Sequence, residues 1–335
     1  MSQFDLSRRS FLGGVAGFCA AAPFGLKGVV QGQERVACRS RVPNPWVENG
    51  KPVVAVVRGT SFTAMLARGM EMLGGFAPFG ADRAVMLKPN FITPSPYPET
   101  TDGPSILAVI EAMRRDGFGD FTIAEWGLAN RQVTEVFDSY NLTDMAGPGS
   151  FGLRNLFGDE IVIAEDDRWA SMPMVRIFET AYRAPLIVNM PVIKQHLDAG
   201  FSCALKNNMG PIDIVSRMAM HRRYRRGLDA ETLLRESKLA VAEIAAALNP
   251  EITVIDARKV MGGQHMFRIG SIEIDANRLI VSGDQVAADL VAAQVLDECF
   301  DGFQASMVSE TLDHAAALGL GAASIDEVVV KEAEA

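Results

Sequence analysis

The sequence predicts an α/β fold, a mainly parallel sheet or sheets with helices on both faces. Three observations carry this. From Val53 to Met145, short apolar runs alternate with helical stretches in the order β-α-β-α-β-α, the pattern of a parallel sheet covered on both sides. Leu186-Ile187-Val188 is a short, wholly apolar run closed by Asn189 and Pro191, as in a buried strand. Asp229 to Leu248 is the clearest helix: Leu234, Val241, Ile244, Ala245 and Leu248 share a face, and Asn249-Pro250 stops it.

The other elements follow in order. Val53 to Val57 is a compact β-branched run, hence a buried strand. Ser61 to Leu73 carries Met65, Leu66, Met70 and Leu73 on a helical face that Gly74-Gly75 ends. Ala84 to Leu87 is the next strand and runs into Lys88-Pro89-Asn90-Phe91, after which a Pro-rich loop reaches Thr101-Asp102-Gly103-Pro104. Asp102 or Gly103 caps the helix Ser105 to Arg115, with Pro104 in its first turn. Phe121 to Ala124 is a strand ending at Glu125-Trp126-Gly127, and Gln132 to Tyr140 and Leu142 to Met145 are weaker helices. Ile161 to Ala164 and Met172 to Phe178 read as strands around Glu165-Asp166-Asp167. Ile252 to Ile255 is a strand ending at Asp256, followed by a turn or loop at Gly262-Gly263-Gln264-His265. Ile272 to Ile274 and Arg278 to Val281 read as a hairpin or the final pair of strands. Asp284 is the candidate N-cap of a helix to Leu296, Leu312 to Leu318 is a last short helix, and Lys331 to Ala335 reads as a loose tail.

The chain has 335 residues, 48% hydrophobic and 22% charged, with a net charge of −9. That balance argues against nucleic-acid binding, which wants a basic footprint. Past the N-terminal region, no run approaches the roughly 18 apolar residues of a membrane helix. Cys19, Cys38, Cys203 and Cys299 show no CxxC spacing, so neither a zinc knot nor a four-cysteine iron–sulfur motif is present.

Ser7-Arg8-Arg9-Ser10 precedes a Gly- and Ala-rich apolar run, Phe11 to Leu26, with Lys27 behind it. This pattern looks like a twin-arginine export signal, which implies the twin-arginine translocation machinery as a partner and a periplasmic location. The alternative is an amphipathic helix with two solvated arginines. The reading divides the chain into a signal and start of linker at 1–37, a linker at 38–52 and an α/β domain at 53–330, with a split into two lobes near 150–180 left open.

Three strand ends carry matched chemistry: Lys88 with Asn90, Glu125, and a polar stretch holding Lys194, His196, Lys206, Asn207 and Asn208. In open α/β sheets, loops beyond the carboxyl ends of the strands bind ligands. A lysine, an amide and a carboxylate arriving together suit a small anionic ligand, a metal, or both. The plainer reading of Lys88 and Glu125 is an ion pair at the sheet edge. His196 and His221 hold half of the four histidines, and a neutral imidazole ligates metal or relays protons near pH 7. Their twenty-five-residue gap fits no metal motif, so only the fold can join them. Lys206, in the apolar-flanked run Cys203-Ala204-Leu205, is either a partly buried lysine of lowered pKa or an ion-paired one. Arg222 to Arg226 is a local basic cluster, read either as a phosphate contact or as a solvated loop, and His265 is a weaker site candidate.

The ordered blocks KPN (Lys88 to Asn90), TDG (Thr101 to Gly103), NMPVIKQH (Asn189 to His196), ALKNNMG (Ala204 to Gly210), His221, TVIDA (Thr253 to Ala257) and GDQVAAD (Gly283 to Asp289) resemble the domain of unknown function 362 family. The resemblance implies that 53–330 is a domain of that type. Many members carry a ferredoxin module with clustered cysteines, which this sequence lacks. The family is similar in turn to the lactate racemase catalytic domain, which implies an N-terminal-domain-like α/β fold. By that resemblance His196 is a proton-transfer base, Lys206 anchors a nickel-pincer nucleotide and His221 is a nickel ligand. Racemisation uses two bases. The racemase's other base lies well upstream, where this chain has no histidine, so the resemblance does not extend to racemisation.

The expectation is an exported α/β protein with a small-molecule site at the strand ends. Its catalytic set is His196, Lys206 and Glu125; its ligand-binding set is Lys88, Asn90, Asp102, Lys194, Asn207 and Asn208; its metal donors are His221 and His196. A non-catalytic exported binding protein for a small anion is the alternative. Substrate, metal and cofactor are not named by the sequence.

Overall fold

The computed structural model describes residues 33–127, 130–197, 199–221, 229–263 and 270–335. The paired Arg8 and Arg9, Asp198, the Arg222 to Arg226 cluster and His265 lie outside the described residues.

In chain order the elements begin with β1 (Arg35–Val36), β2 (Val47–Glu48), β3 (Lys51–Arg58), α1 (Phe62–Leu73), β4 (Val85–Pro89) and α2 (Gly103–Arg115). They continue with β5 (Phe121–Glu125), α3 (Asn130–Ser139), α4 (Leu142–Met145), β6 (Gly152–Asn155), β7 (Ile161–Ala164), β8 (Val175–Phe178), α5 (Glu179–Tyr182) and β9 (Leu186–Met190). Then come β10 (Val192–His196), β11 (Gly200–Ser202), α6 (Ala204–Asn207), α7 (Ile214–His221), α8 (Ala230–Leu248), β12 (Ile252–Gly262), β13 (Ile272–Ser282), α9 (Gln285–Cys299), α10 (Ser309–Ala317) and β14 (Val329–Glu334).

The main sheet runs β14-β3-β13-β12-β9-β4-β5-β6, with β2, β10 and β11 attached off this path. Every neighbouring pair on the path is parallel except those that β13 makes with β3 and β12. The fold is thus mixed α/β with a large, mainly parallel sheet, as the element order predicts. Beside it, β1, β7 and β8 form a three-stranded sheet of their own.

The period-two alternation of strand side chains divides the core into two. Val54, Val56, Met86, Ile187, Ile255 and Ile280 pack on one face against α8 and α9, through side chains such as Val241, Ile244, Val286 and Leu296. Val57, Leu87, Ile123, Val188, Val254 and Val281 pack on the other against α1, α2 and α3, through Met65, Ile110 and Val136 among others. Each such side chain contributes about 1.5–3 kcal/mol by leaving water. Helix ends follow their chemistry: Asp229 accepts from the Thr232 amide at the start of α8, Asn249 closes it in the left-handed region, and Asp284 accepts from the amides of Val286 and Ala287 to start α9.

Three expectations are corrected. The segment after residue 38 is packed rather than loose: Arg39 is buried and ion-paired with Glu251 at 3.0 Å, and Trp46 sits in the core. Ile272 to Ser282 is one continuous strand, paired with β12 across a bulge between Ala257 and Lys259. Its polar Glu273, Asp275 and Asn277 hide the strand pattern because that half of the hairpin faces water. The C-terminal tail is strand β14, lying parallel to β3 from Val329↔Val53 to Glu334↔Arg58.

Candidate functional site

β4, β5 and β9 are adjacent and parallel, with Lys88 opposite Asn189 in the register. Their carboxyl ends therefore open onto one rim, where an α/β sheet offers loops to a ligand.

At the base of the rim, Lys88 donates from Nζ to Glu125 Oε2 at 2.7 Å and to the Pro89 carbonyl at 2.8 Å. Both side chains are shielded from solvent, at 1% and 3% exposure, and burial pulls the Lys88 pKa down while the Glu125 charge pulls it back up. Glu125 also accepts from the Trp126 amide. Gly210 is required here, because a Cβ at that position would overlap Glu125 Oε1.

Arg217 closes this layer from α7. Its guanidinium donates to the carbonyls of Met209, Gly210, Trp126 and Gly127, and lies 3.9 Å over the Trp126 ring. Burial lowers its pKa to about 10, opposed by the charges of Glu125 and Asp213. One arginine thus ties β5, α6 and α7 together.

Above it runs a directed chain of amides. Lys194 donates to Asn90 Oδ1 at 3.3 Å, Asn90 to Asn207 Oδ1 at 3.0 Å, Asn207 to Asn189 Oδ1 at 2.7 Å, and Asn189 to the Ala204 carbonyl at 2.8 Å. Lys194 also donates to the Glu99 carbonyl at 2.6 Å. Burial brings its pKa down to about 8, against the charges of Glu99 and Cys203.

Further along β10, two residues from Lys194 and on the same side of the strand, stands His196. Its ring faces that of His221 at the end of α7, with centroids 6.3 Å apart and planes 26° from parallel. Both residues are half-buried. The fold closes the twenty-five-residue gap that the sequence left open.

The remaining expected residues stand apart. The Asp102 carboxylate receives Arg258 Nη2 at 2.7 Å, in a group with Asp256, Ser105 and Tyr97. Asn208 spends its amide on the Ala204 and Leu205 carbonyls and on Gln285, away from the rim. Lys206, half-buried, borders a narrow cleft with Phe201, Leu205, Val241 and Leu312.

Arg217, Asn189 and Asp289 carry this arrangement and were not singled out as site residues in the sequence. Asp289 accepts from the amides of Ala204 and Leu205 and so holds the start of α6; burial raises its pKa to about 6 despite those bonds. An aspartate and an arginine set inside apolar helical stretches, at Asp289 and Arg217, were the available signals.

Among the described residues, no three His, Cys, Asp or Glu side chains stand close enough to hold a metal ion. The two imidazoles alone do not make a metal centre. Cys38, Cys203 and Cys299 are free thiols, and no described helix is long and apolar enough to cross a membrane.

Comparison with known proteins gives a family match over residues 85–294, to the domain of unknown function DUF362. No curated protein matches the chain. Among solved structures the chain is similar to the lactate racemase apoprotein from Thermoanaerobacterium thermosaccharolyticum, at 14% identity and a TM-score of 0.41, over 66% of this chain and 53% of that one. The chain therefore spans about half the length of the solved protein it matches.

Proposed function

The chain belongs to the DUF362 family, and from that premise we propose that it binds a small anionic molecule at the carboxyl rim and moves a proton on it. The observation that carries this reading is the facing pair His196 and His221, 6.3 Å apart. Two imidazoles facing each other at this distance can divide the roles of base and acid between them. His196 takes a proton from the ligand and His221 returns one. Lys194 lies on the same side of β10 and gives the floor a positive charge that favours an anion. Glu125 and Lys88 fix the strand ends beneath.

Export by the twin-arginine pathway, from Arg8 and Arg9, belongs to the same proposal. A metal bound by His221 and His196 would need its remaining donors from the ligand itself; metal analysis and intact mass of protein from its native host read this directly.

The test of catalysis is solvent isotope exchange. The purified protein is screened by thermal shift against hydroxy acids, oxo acids and phosphates, and any stabilising compound is incubated in heavy water. Deuterium enters the ligand with the wild type and not with His196→Ala or His221→Ala. A ligand that binds and is recovered without deuterium reduces the protein to the alternative, an exported binding protein for a small anion.

A further inference from the structure

The opposite edge of the sheet, where the parallel strands begin, carries a second feature that the rim chemistry does not use. An open groove of about 1000 Å³, a volume that includes solvent at its mouth, runs between the strap at residues 37–43, Arg83 ahead of β4, and residues 182–185 ahead of β9. Five-residue strands such as β4 and β9 hold it roughly 17 Å from the His196 rim.

Four arginines line it: Arg39, Arg41, Arg83 and Arg183. Two of them are answered by carboxylates. Arg39 pairs with Glu251 at 3.0 Å, and Arg183 with Glu179 at 2.6 Å. Arg41 and Arg83 form no ion pair among the described residues. Arg41 is partly buried and donates only to carbonyls, those of Val42, Glu251 and Gly283. Burial lowers its pKa, and the nearby charges of Glu251 and Asp284 pull it back up. Arg83 is exposed on the facing wall, and the exposed Ser40 lies on the strap. The groove thus gathers four guanidinium groups, of which Arg41 is only partly answered, by the charges of Glu251 and Asp284, and Arg83 has no ion pair among the described residues, in a chain whose net charge is −9. A surface dominated by acidic groups repels anions generally, so a local excess of guanidinium is a selective attractor. Guanidinium is also the group whose planar fork matches phosphate oxygens two at a time.

We propose that this groove is an anion site for a phosphate-bearing molecule, held by Arg41 and Arg83 and separate from the imidazole rim. The phosphate can belong to a soluble phosphoester or to a lipid headgroup, and the two sources are told apart by the probe that binds.

The experiment uses the full chain and two probes. Inorganic pyrophosphate is titrated by calorimetry, and vesicles of phosphatidylglycerol are compared with vesicles of phosphatidylcholine by co-sedimentation. The expected result is saturable binding of one probe, weakened by added salt and weakened about tenfold by Arg83→Gln, since a charge-assisted contact is worth roughly that factor. Arg83→Glu abolishes it. Arg83 is exposed, so these variants keep the wild-type melting temperature, and Arg41→Gln is read alongside them as the riskier change. His196→Ala and Lys206→Ala leave the binding unchanged. Pyrophosphate binding assigns the site to soluble phosphoesters, and binding to anionic vesicles alone assigns it to headgroups. The proposal is overturned if neither probe binds, if Arg83→Gln binds as tightly as wild type, or if the His196 variant loses the binding equally.

Discussion

Lys88 and Glu125, on adjacent parallel strands, meet at 2.7 Å with almost no access to water. Neither charge is tolerable there alone. Glu125→Ala leaves a buried ammonium and is expected to cost about 3–5 kcal/mol in urea denaturation. Lys88→Met with Glu125→Leu removes both charges and is expected to return to within about 2 kcal/mol of wild type. A double variant as unstable as the single one would mean that the pair stabilises the fold in its own right.

The charge on Asp289 gives a pH dependence. Its pKa rises from 3.8 to about 6 because burial disfavours the carboxylate. A raised value means that the fold holds the protonated form better. That stability is complete below the unfolded value and is lost as pH rises through about 6, by at most about 3 kcal/mol. The difference in unfolding free energy between wild type and Asp289→Asn should therefore change across that window and level off above it. A flat difference curve would show that the amides of Ala204 and Leu205 fully compensate the burial.

Arg217→Lys keeps the charge and loses the fork that meets four carbonyls. An ammonium has three donors and cannot cover Trp126 in the same way. The expected loss is about 3 kcal/mol, with a shifted tryptophan emission that a Trp126→Phe background abolishes. Because α7 also carries His221, the variant should lose deuterium exchange at the rim. Unchanged emission and exchange would make Arg217 a bystander.

Removal of residues 329–335 strips β14 from β3 and bares Val53 to Val57 as an edge. An apolar edge recruits other strands. Size-exclusion chromatography of the truncated chain should show higher-order species that the full chain lacks; a clean monomer would mean that β3 is protected by other means.

The parallel core was legible because its strands are short, apolar and bounded by turn residues, as Val53 to Val57 and Leu186 to Val188 are. β13 was not, because its exposed half reads as polar while its partner β12 enforces the strand. Tertiary pairing also made a strand of the charged tail, where composition alone suggests none. At the rim, strand-end position was enough to flag Lys88, Glu125, Asn90, Lys194 and His196. It could not say which partner each side chain would choose, so Asp102 turns to Arg258 and Asn208 to Gln285. Those choices depend on the β12 bulge and on where α9 begins, neither of which has a local signature.

The line from Lys194 through Asn90, Asn207 and Asn189 to the Ala204 carbonyl points one way throughout, because an ammonium can only give at its head and a carbonyl can only accept at its foot. No amide in it can flip alone without placing two donors or two acceptors nose to nose. A guest that draws the lysine head toward itself therefore tugs on every link, and the last link is the turn of helix bearing Lys206. The same row that stiffens the rim is thus a mechanical lever, by which occupation of one end is felt at the other.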